Sequence, residues 1–157
     1  MKNMKKLDET DLKILTLLYE NSRITNKELS KKVNIAPSTC LDRVKKLQST
    51  GVIKAFSLEI DYKAIGADIE AMTSIRLGKH SASVIDSFRH DLGLCPEVIS
   101  VFYMGGVNDF LVHIIVENTE HLRDFIFRAI NSRKEVVHIE TALIYEQHIS
   151  HKLPSFE

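Results

Sequence analysis

"RITNKELSKKVNIAPSTCLDRVKKL", residues 23–47, crowds Arg23, Lys27, Lys31, Lys32, Arg43, Lys45 and Lys46 into a chain whose formal net charge is zero. Apolar residues are threaded between them: Leu29, Val33, Leu41, Val44 and Leu47. Thr25 followed three residues later by Glu28 is a capping box, and Ile24 and Leu29 flank it at hydrophobic-staple positions. A short helix therefore begins here, with Leu29 and Val33 on its inner face. Asn34-Ile35-Ala36 makes a tight turn. Pro37 suits the first position of a following helix, where its missing N–H costs nothing. That helix runs to about Thr50, and Gly51 takes the left-handed cap. Its expected inner face is Leu41, Val44 and Leu47, with Cys40 at the margin. Its expected outer face is Thr39, Asp42, Arg43 and Lys46.

A short helix, a tight turn and a helix with a basic outward stripe form a helix-turn-helix. The pattern points to double-stranded DNA as a partner. Ser38, Thr39, Arg43 and Lys46 are expected nearest the DNA. The planar fork of Arg43 suits guanine edges, and Lys27, Lys45 and Lys46 suit phosphates. Asp42 either accepts from a cytosine amino group or pairs with Lys46 four residues on, and the pairing is favoured. The bland alternative is a small helical packing module, against which the linked caps and the basic stripe weigh. A helix before this segment starts at Asp8, with Leu7 and Leu12 as a staple and Leu12, Leu15, Leu18 and Tyr19 on one face.

The charge is unevenly shared. Residues 1–58 hold 12 Lys and Arg against 6 Asp and Glu, and the remaining residues hold 9 against 15. A basic front on an acidic remainder divides the 157 residues into two domains. The expected limits are a helix-turn-helix domain over 1–51, a strand and hinge over 52–68, and a second domain over 69–157. "VIKAFSLEID", residues 52–61, reads as the strand.

The second domain reads as βαββαβ. "EAMTSIRL" alternates as a strand. "SASVIDSFRHDL" is helical, "EVISVFYMGG" and "DFLVHIIVEN" are strands, "TEHLRDFIFRAINS" is a helix with Thr119 as N-cap, and "EVVHIETALIYEQ" is the last strand. Two such units build an antiparallel sheet with both helices on one face. The other face carries Arg76, Leu111, His113 and Ile115, and the apolar residues among them call for a covering partner.

Several function classes find no support. No apolar run spans a bilayer, so no membrane partner is expected. "MKNMKKLDETD" turns acidic where a secretion signal needs an apolar core. Cys40 and Cys95 sit far apart with no CxxC pattern, which fits a reducing cytoplasm. The histidines show no recognised ligand spacing, so neither metal nor cofactor is expected. No nucleophile–base pair, phosphate loop or dinucleotide fingerprint marks an enzyme.

Taken end to end, the chain resembles the Lrp/AsnC ("feast/famine") family of bacterial and archaeal transcription regulators. "LDETDLKILTLL" looks like the family's first helix. "RITNKELSKKVNIAPSTCLDRVKKLQSTGVI" looks like its helix-turn-helix and the start of the next strand, and the βαββαβ half resembles its ligand-sensing and oligomerisation domain. The resemblance implies an α+β architecture, a winged helix-turn-helix domain followed by a ferredoxin-like βαββαβ sandwich. It also implies a DNA-binding regulator that answers to a small effector, usually an amino acid. Homodimers through the sheet face, and higher homo-oligomers up to octamers, are expected. The family's Gly-x-x-Asp effector loop falls on Gly106-Val107-Asn108-Asp109, with Gly105 beside it and Thr141 on the last strand. A glycine lets backbone approach a ligand, and a carboxylate can pair with an α-ammonium group. Taken alone these residues make an ordinary hairpin turn; the resemblance favours the effector site. Three features depart from the family: Asn108 stands where an aromatic is common, Gly105 adds a second glycine, and Ala36 stands where a serine commonly caps the recognition helix. Two rivals share the architecture, a sirohaem-decarboxylase-like enzyme and an effector-independent architectural DNA-binding protein. The basic stripe argues against the first, and only ligand binding separates the second.

Overall fold

A computed structural model describes residues 7–154. The "MKNMKK" opening and the outer limits of both expected domains lie outside those residues. The chain forms two compact units that divide at residues 59/60 and 147/148.

The first unit holds α1 (Glu9–Glu20), α2 (Asn26–Lys32) and α3 (Pro37–Ser49). Each begins where the local chemistry dictates. Asp8 caps α1 in a reciprocal box with Asp11, and Thr25 caps α2 in a box with Glu28. Pro37 opens α3, and Ala36 supplies no side-chain cap. Gly51, at φ +78°, follows its end in the left-handed region. Ile14, Leu29, Cys40 and Leu47 are the buried centre, with Leu15, Leu18, Val33 and Val44 packed around them.

Two inner faces differ from the sequence expectation. In α1 Ile14 is buried, whereas Leu12 and Tyr19 are half exposed. In α3 Cys40 is buried and Leu41 is exposed. The true stripes are 11, 14, 15, 18 and 40, 43, 44, 47. Each contains one charged residue, Asp11 or Arg43, which disguises its helical period.

Residues 52–60 form no strand, a second correction. A strand exists only through ladder hydrogen bonds with a neighbour, and no neighbour pairs with this segment among the described residues. Phe56, Leu58 and Ile60 stand exposed at alternate positions.

The second unit begins with a 3-10 turn (Lys63–Ile65). Its elements are β1 (Ile69–Leu77), α4 (Ala82–Gly93), β2 (Val98–Tyr103), β3 (Phe110–Val116), α5 (Thr119–Phe125) and β4 (Val136–Leu143). The last turns after α5 widen to a π-helix over Ile126–Asn131. Asn118, not Thr119, is the N-cap of α5, accepting from the His121 N–H. The sheet runs β2-β3-β1-β4 with every pair antiparallel. Ala71, Ile75 and Leu77 of β1 and Phe110, Val112, Ile114 and Val116 of β3 face the helices, where Phe88, Leu92, Leu122, Phe125 and Ile130 complete the core. The opposite face carries Arg76, Leu111, His113 and Ile115 as expected, and His113 Nε2 lies 2.6 Å from Glu70 Oε1.

Glu97 pins α5 to the start of β2. Its carboxylate is almost fully buried and its Oε1 meets Arg128 at 2.6 Å and His121 at 3.3 Å. Burial disfavours its charge, but its own backbone N–H, His121 and Arg128 outweigh burial and hold the carboxyl below its usual value. A depressed pKa stabilises the fold above the ordinary value of 4.5 and loses that contribution as pH falls through the folded value. Glu97→Gln should therefore cost about 1–3 kcal/mol at neutral pH. In denaturant melts, its deficit against the wild type should shrink as pH drops below 4.5.

Candidate DNA-reading helix and candidate effector loop

The α2–α3 turn is built by Asn34, which takes φ +55°, and by the Ile35 N–H donating to Ser30 O at 3.1 Å. Asn tolerates the left-handed region better than branched residues do. Asn26 Nδ2 reaches Pro37 O at 2.9 Å and ties the start of α2 to the start of α3. With Cys40, Val44 and Leu47 turned inward, Ser38, Thr39, Asp42, Lys45 and Lys46 stand exposed on α3, and Lys27 and Lys31 stand exposed on α2. Lys13 is the one lysine in an ion pair among the described residues. The lysines of α2 and α3 are therefore free to meet phosphates.

Two sequence expectations fail here. Asp42 makes no ion pair with Lys46. Arg43 does not join the outer stripe: its Nη1 donates to Asp8 Oδ2 and to Asp11 Oδ1, each at 2.7 Å. The two carboxylates of the α1 capping box thus hold the α3 arginine. The Asp11 N–H bond and the Arg43 guanidinium in turn hold the Asp8 carboxyl below its ordinary value. Burial pushes the Cys40 thiol up, so it is an inert packing group.

The second candidate site is the β2–β3 connection. The Met104 N–H donates to Asp109 O at 2.8 Å and closes a loop of residues 105–108. Gly106, at φ +151°, needs glycine. The N–H groups of Gly105, Gly106, Val107 and Asn108 donate to no other group among the described residues. Val107 is largely exposed. Asn108 Oδ1 is buried without a partner.

The sequence reading sets the Asp109 carboxylate against a ligand ammonium, but the structure spends it internally. Oδ2 accepts from the Leu77 N–H at 2.7 Å and Oδ1 lies 2.9 Å from His80 Nε2. Thr141 is not brought to the loop. Its hydroxyl lies 3.0 Å from that of Thr73, across the β1–β4 ladder. Two strand spacings across and about three residues along the sheet put it on the order of 14 Å from Asp109 within one chain.

Residues 7–54 match a family profile described as winged helix-turn-helix DNA-binding, and residues 70–154 match the Lrp/AsnC ligand binding domain. The chain belongs to the Lrp/AsnC family. The HTH-type transcriptional regulator AldR of Mycolicibacterium smegmatis is 39% identical over 140 residues, covering 89% of this chain and 82% of AldR. A transcriptional regulator of Neisseria meningitidis, solved as a complex with L-Met, superposes with a TM-score of 0.86 at 27% identity, covering 95% and 97% of the two chains. An AsnC family regulator from Agrobacterium tumefaciens gives 0.84 at 28%, covering 94% and 97%. This Lrp/AsnC chain is thus a helix-turn-helix transcription regulator with a ligand-binding domain.

His80, Asp8 and Asp11 are the site residues that sequence reasoning misses. The signal for His80 lies in the topology: antiparallel pairing of β1 with β3 sets the β1–α4 and β2–β3 connections at the same end of the sheet.

Because Arg43 is tied to α1, Arg43→Ala should lower the melting midpoint of the helical unit. Base preference on a randomised operator pool should be unchanged. A preference lost at one base position would instead return Arg43 to the DNA.

Proposed function

We propose that this regulator reads a major groove with α3, in the cytoplasm, as a homodimer whose assembly answers to an amino-acid effector at the 105–109 loop. The observation that carries the DNA reading is the set of exposed lysines and hydroxyls around α3, Lys27, Ser38, Thr39, Lys45 and Lys46, with the Asp42 carboxylate among them. In this reading Lys27, Lys45 and Lys46 neutralise phosphates, while Ser38, Thr39 and Asp42 meet base edges.

The dimer reading rests on two surfaces. The open sheet face bears a half-buried Leu111 and a half-exposed Phe102. The 52–60 segment carries alternating apolar residues and lacks a ladder. A second copy supplies a cover for the first and a pairing strand for the second. Two-fold pairing then sets two α3 helices against half-sites about one helical turn apart, or a multiple of that. Higher homo-oligomers follow if dimers associate further.

The effector reading rests on the loop's unpaired N–H groups, on Gly106, and on family membership. Gly105, Gly106, Val107 and Asn108 offer their N–H groups to a carboxylate, and Asp109 holds the loop in place. Thr141 joins such a site only if a second chain brings it there. The Neisseria relative solved with L-Met makes methionine the first amino acid to try.

Gel shifts at graded salt test the DNA reading. Lys45→Ala and Lys46→Ala should each weaken binding to all sequences alike and reduce the salt slope by about one unit. An unchanged slope in both removes α3 from the interface. Sedimentation tests the assembly: the wild type should sediment as a dimer or larger at micromolar concentration, and Leu111→Asp should shift it toward monomer. A monomeric wild type refutes the dimer.

A further inference from the structure

His80 stands against the effector loop but belongs to another connection, between β1 and α4. Its place is fixed from both sides. The Gly78 N–H donates to Glu135 O at 2.8 Å, and a Cβ at position 78 would come within 2.8 Å of Val137 Cγ1. The chain therefore leaves β1 in close approach to β4. Ser81 then caps α4, accepting from the Val84 N–H at 3.4 Å. Between these anchors His80 Nε2 meets Asp109 Oδ1 at 2.9 Å.

An ionised carboxylate only accepts, so the arrangement assigns the ring proton to Nε2. The tautomer leaves a lone pair on Nδ1. That nitrogen has no partner among the described residues, and the His80 side chain is 55% exposed while that of Asp109 is 13% exposed. The open group at the loop is thus the imidazole and not the carboxylate. A carboxylate behind a histidine fixes the ring's tautomer and orientation. Asn108 Oδ1, adjacent in the chain, is a second acceptor without a donor. An amino acid brings an ammonium for such acceptors and a carboxylate for the loop N–H groups.

We propose that His80 receives the α-ammonium group of the effector, with Asp109 as the positioning carboxylate behind it. The inference rests on the reading of residues 105–109 as the effector loop.

The test screens the common L-amino acids, methionine included, by thermal shift on the full chain. The strongest ligand is then titrated beside its α-hydroxy-acid counterpart, which lacks the ammonium. The wild type should prefer the amino acid by roughly tenfold or more, and His80→Ala should bring the two ligands within about threefold. His80→Gln, which keeps an acceptor, should restore part of the preference. Gly106→Val reports on the loop itself and should abolish binding of both ligands. If binding is lost in Gly106→Val but His80→Ala keeps the full preference, or weakens both ligands alike, the role of His80 is overturned and the loop reading stands. If no amino acid shifts the melt, or if binding survives Gly106→Val, the loop reading falls and the proposal with it.

Discussion

The antiparallel pairing of β1 with β3 on one side and β4 on the other governs the ligand-binding unit. β1 is a central strand whose alternate residues Ala71, Thr73, Ile75 and Leu77 are all buried under α4 and α5. A slip of one residue would turn that set to the open face and bring Met72, Ser74 and Arg76 into the core. The register is therefore fixed by burial, and the positions at the end of the strand are fixed with it. The Leu77 N–H is set to bind the Asp109 carboxylate, and Gly78 leads the chain past Val137 to His80. The geometry of the loop is thus inherited from the core and needs no separate device.

The helical unit rests on a different compromise. Its apolar centre is small, and α3 starts without a side-chain cap. The Ala36 position gives up on the order of 1 kcal/mol that a serine would supply. The ion pairs from Arg43 to Asp8 and Asp11 lie across the α1–α3 contact. Exposed ion pairs contribute little singly, yet one guanidinium shared by two carboxylates restricts orientation as well as adding charge. Using the arginine this way removes it from the DNA-facing stripe, so the positive face belongs to lysines. Lysines hold a phosphate as point charges with little base discrimination. In the proposed reading, base discrimination then falls to short side chains such as Ser38, Thr39 and Asp42.

Much of this was readable in the sequence, and the failures have physical causes. The caps at Asp8 and Thr25 and the proline at 37 act within one turn of chain, so local chemistry identifies them. β1 alternates cleanly, and the strands of the second unit were placed in order. The faces of α1 and α3 were misjudged because Asp11 and Arg43 occupy inward positions as a pair. A charged residue at a core-facing position is invisible to a hydrophobic period until its partner is known. The 52–60 strand failed for a related reason: β pattern is a property of a residue run, whereas a strand is a property of a pair. Gly106 was found through the family resemblance, since by itself the Gly-x-x-Asp spacing reads as an ordinary turn. His80 was missed because its partner Asp109 lies 29 positions away, across a sheet whose register only the fold supplies.

These constraints bear on how a ligand could reach the DNA. An effector changes DNA binding only by as much as its affinity differs between two states of the protein, and every tenfold change in DNA affinity requires about 1.4 kcal/mol of that difference. Asp109, held by the Leu77 N–H and His80, cannot supply that difference by moving alone, because either bond lost within the chain leaves a half-buried carboxylate short of a donor. The groups free to differ between states are those without partners: the N–H groups of the 105–108 loop, the half-open imidazole, the open sheet face and the unladdered 52–60 segment. In the proposed dimer, all but the first two are surfaces that a second copy of the chain completes. Ligand and assembly therefore draw on the unsatisfied groups of the same chain, and a coupling between them needs no motion within the β1–β3–β4 core.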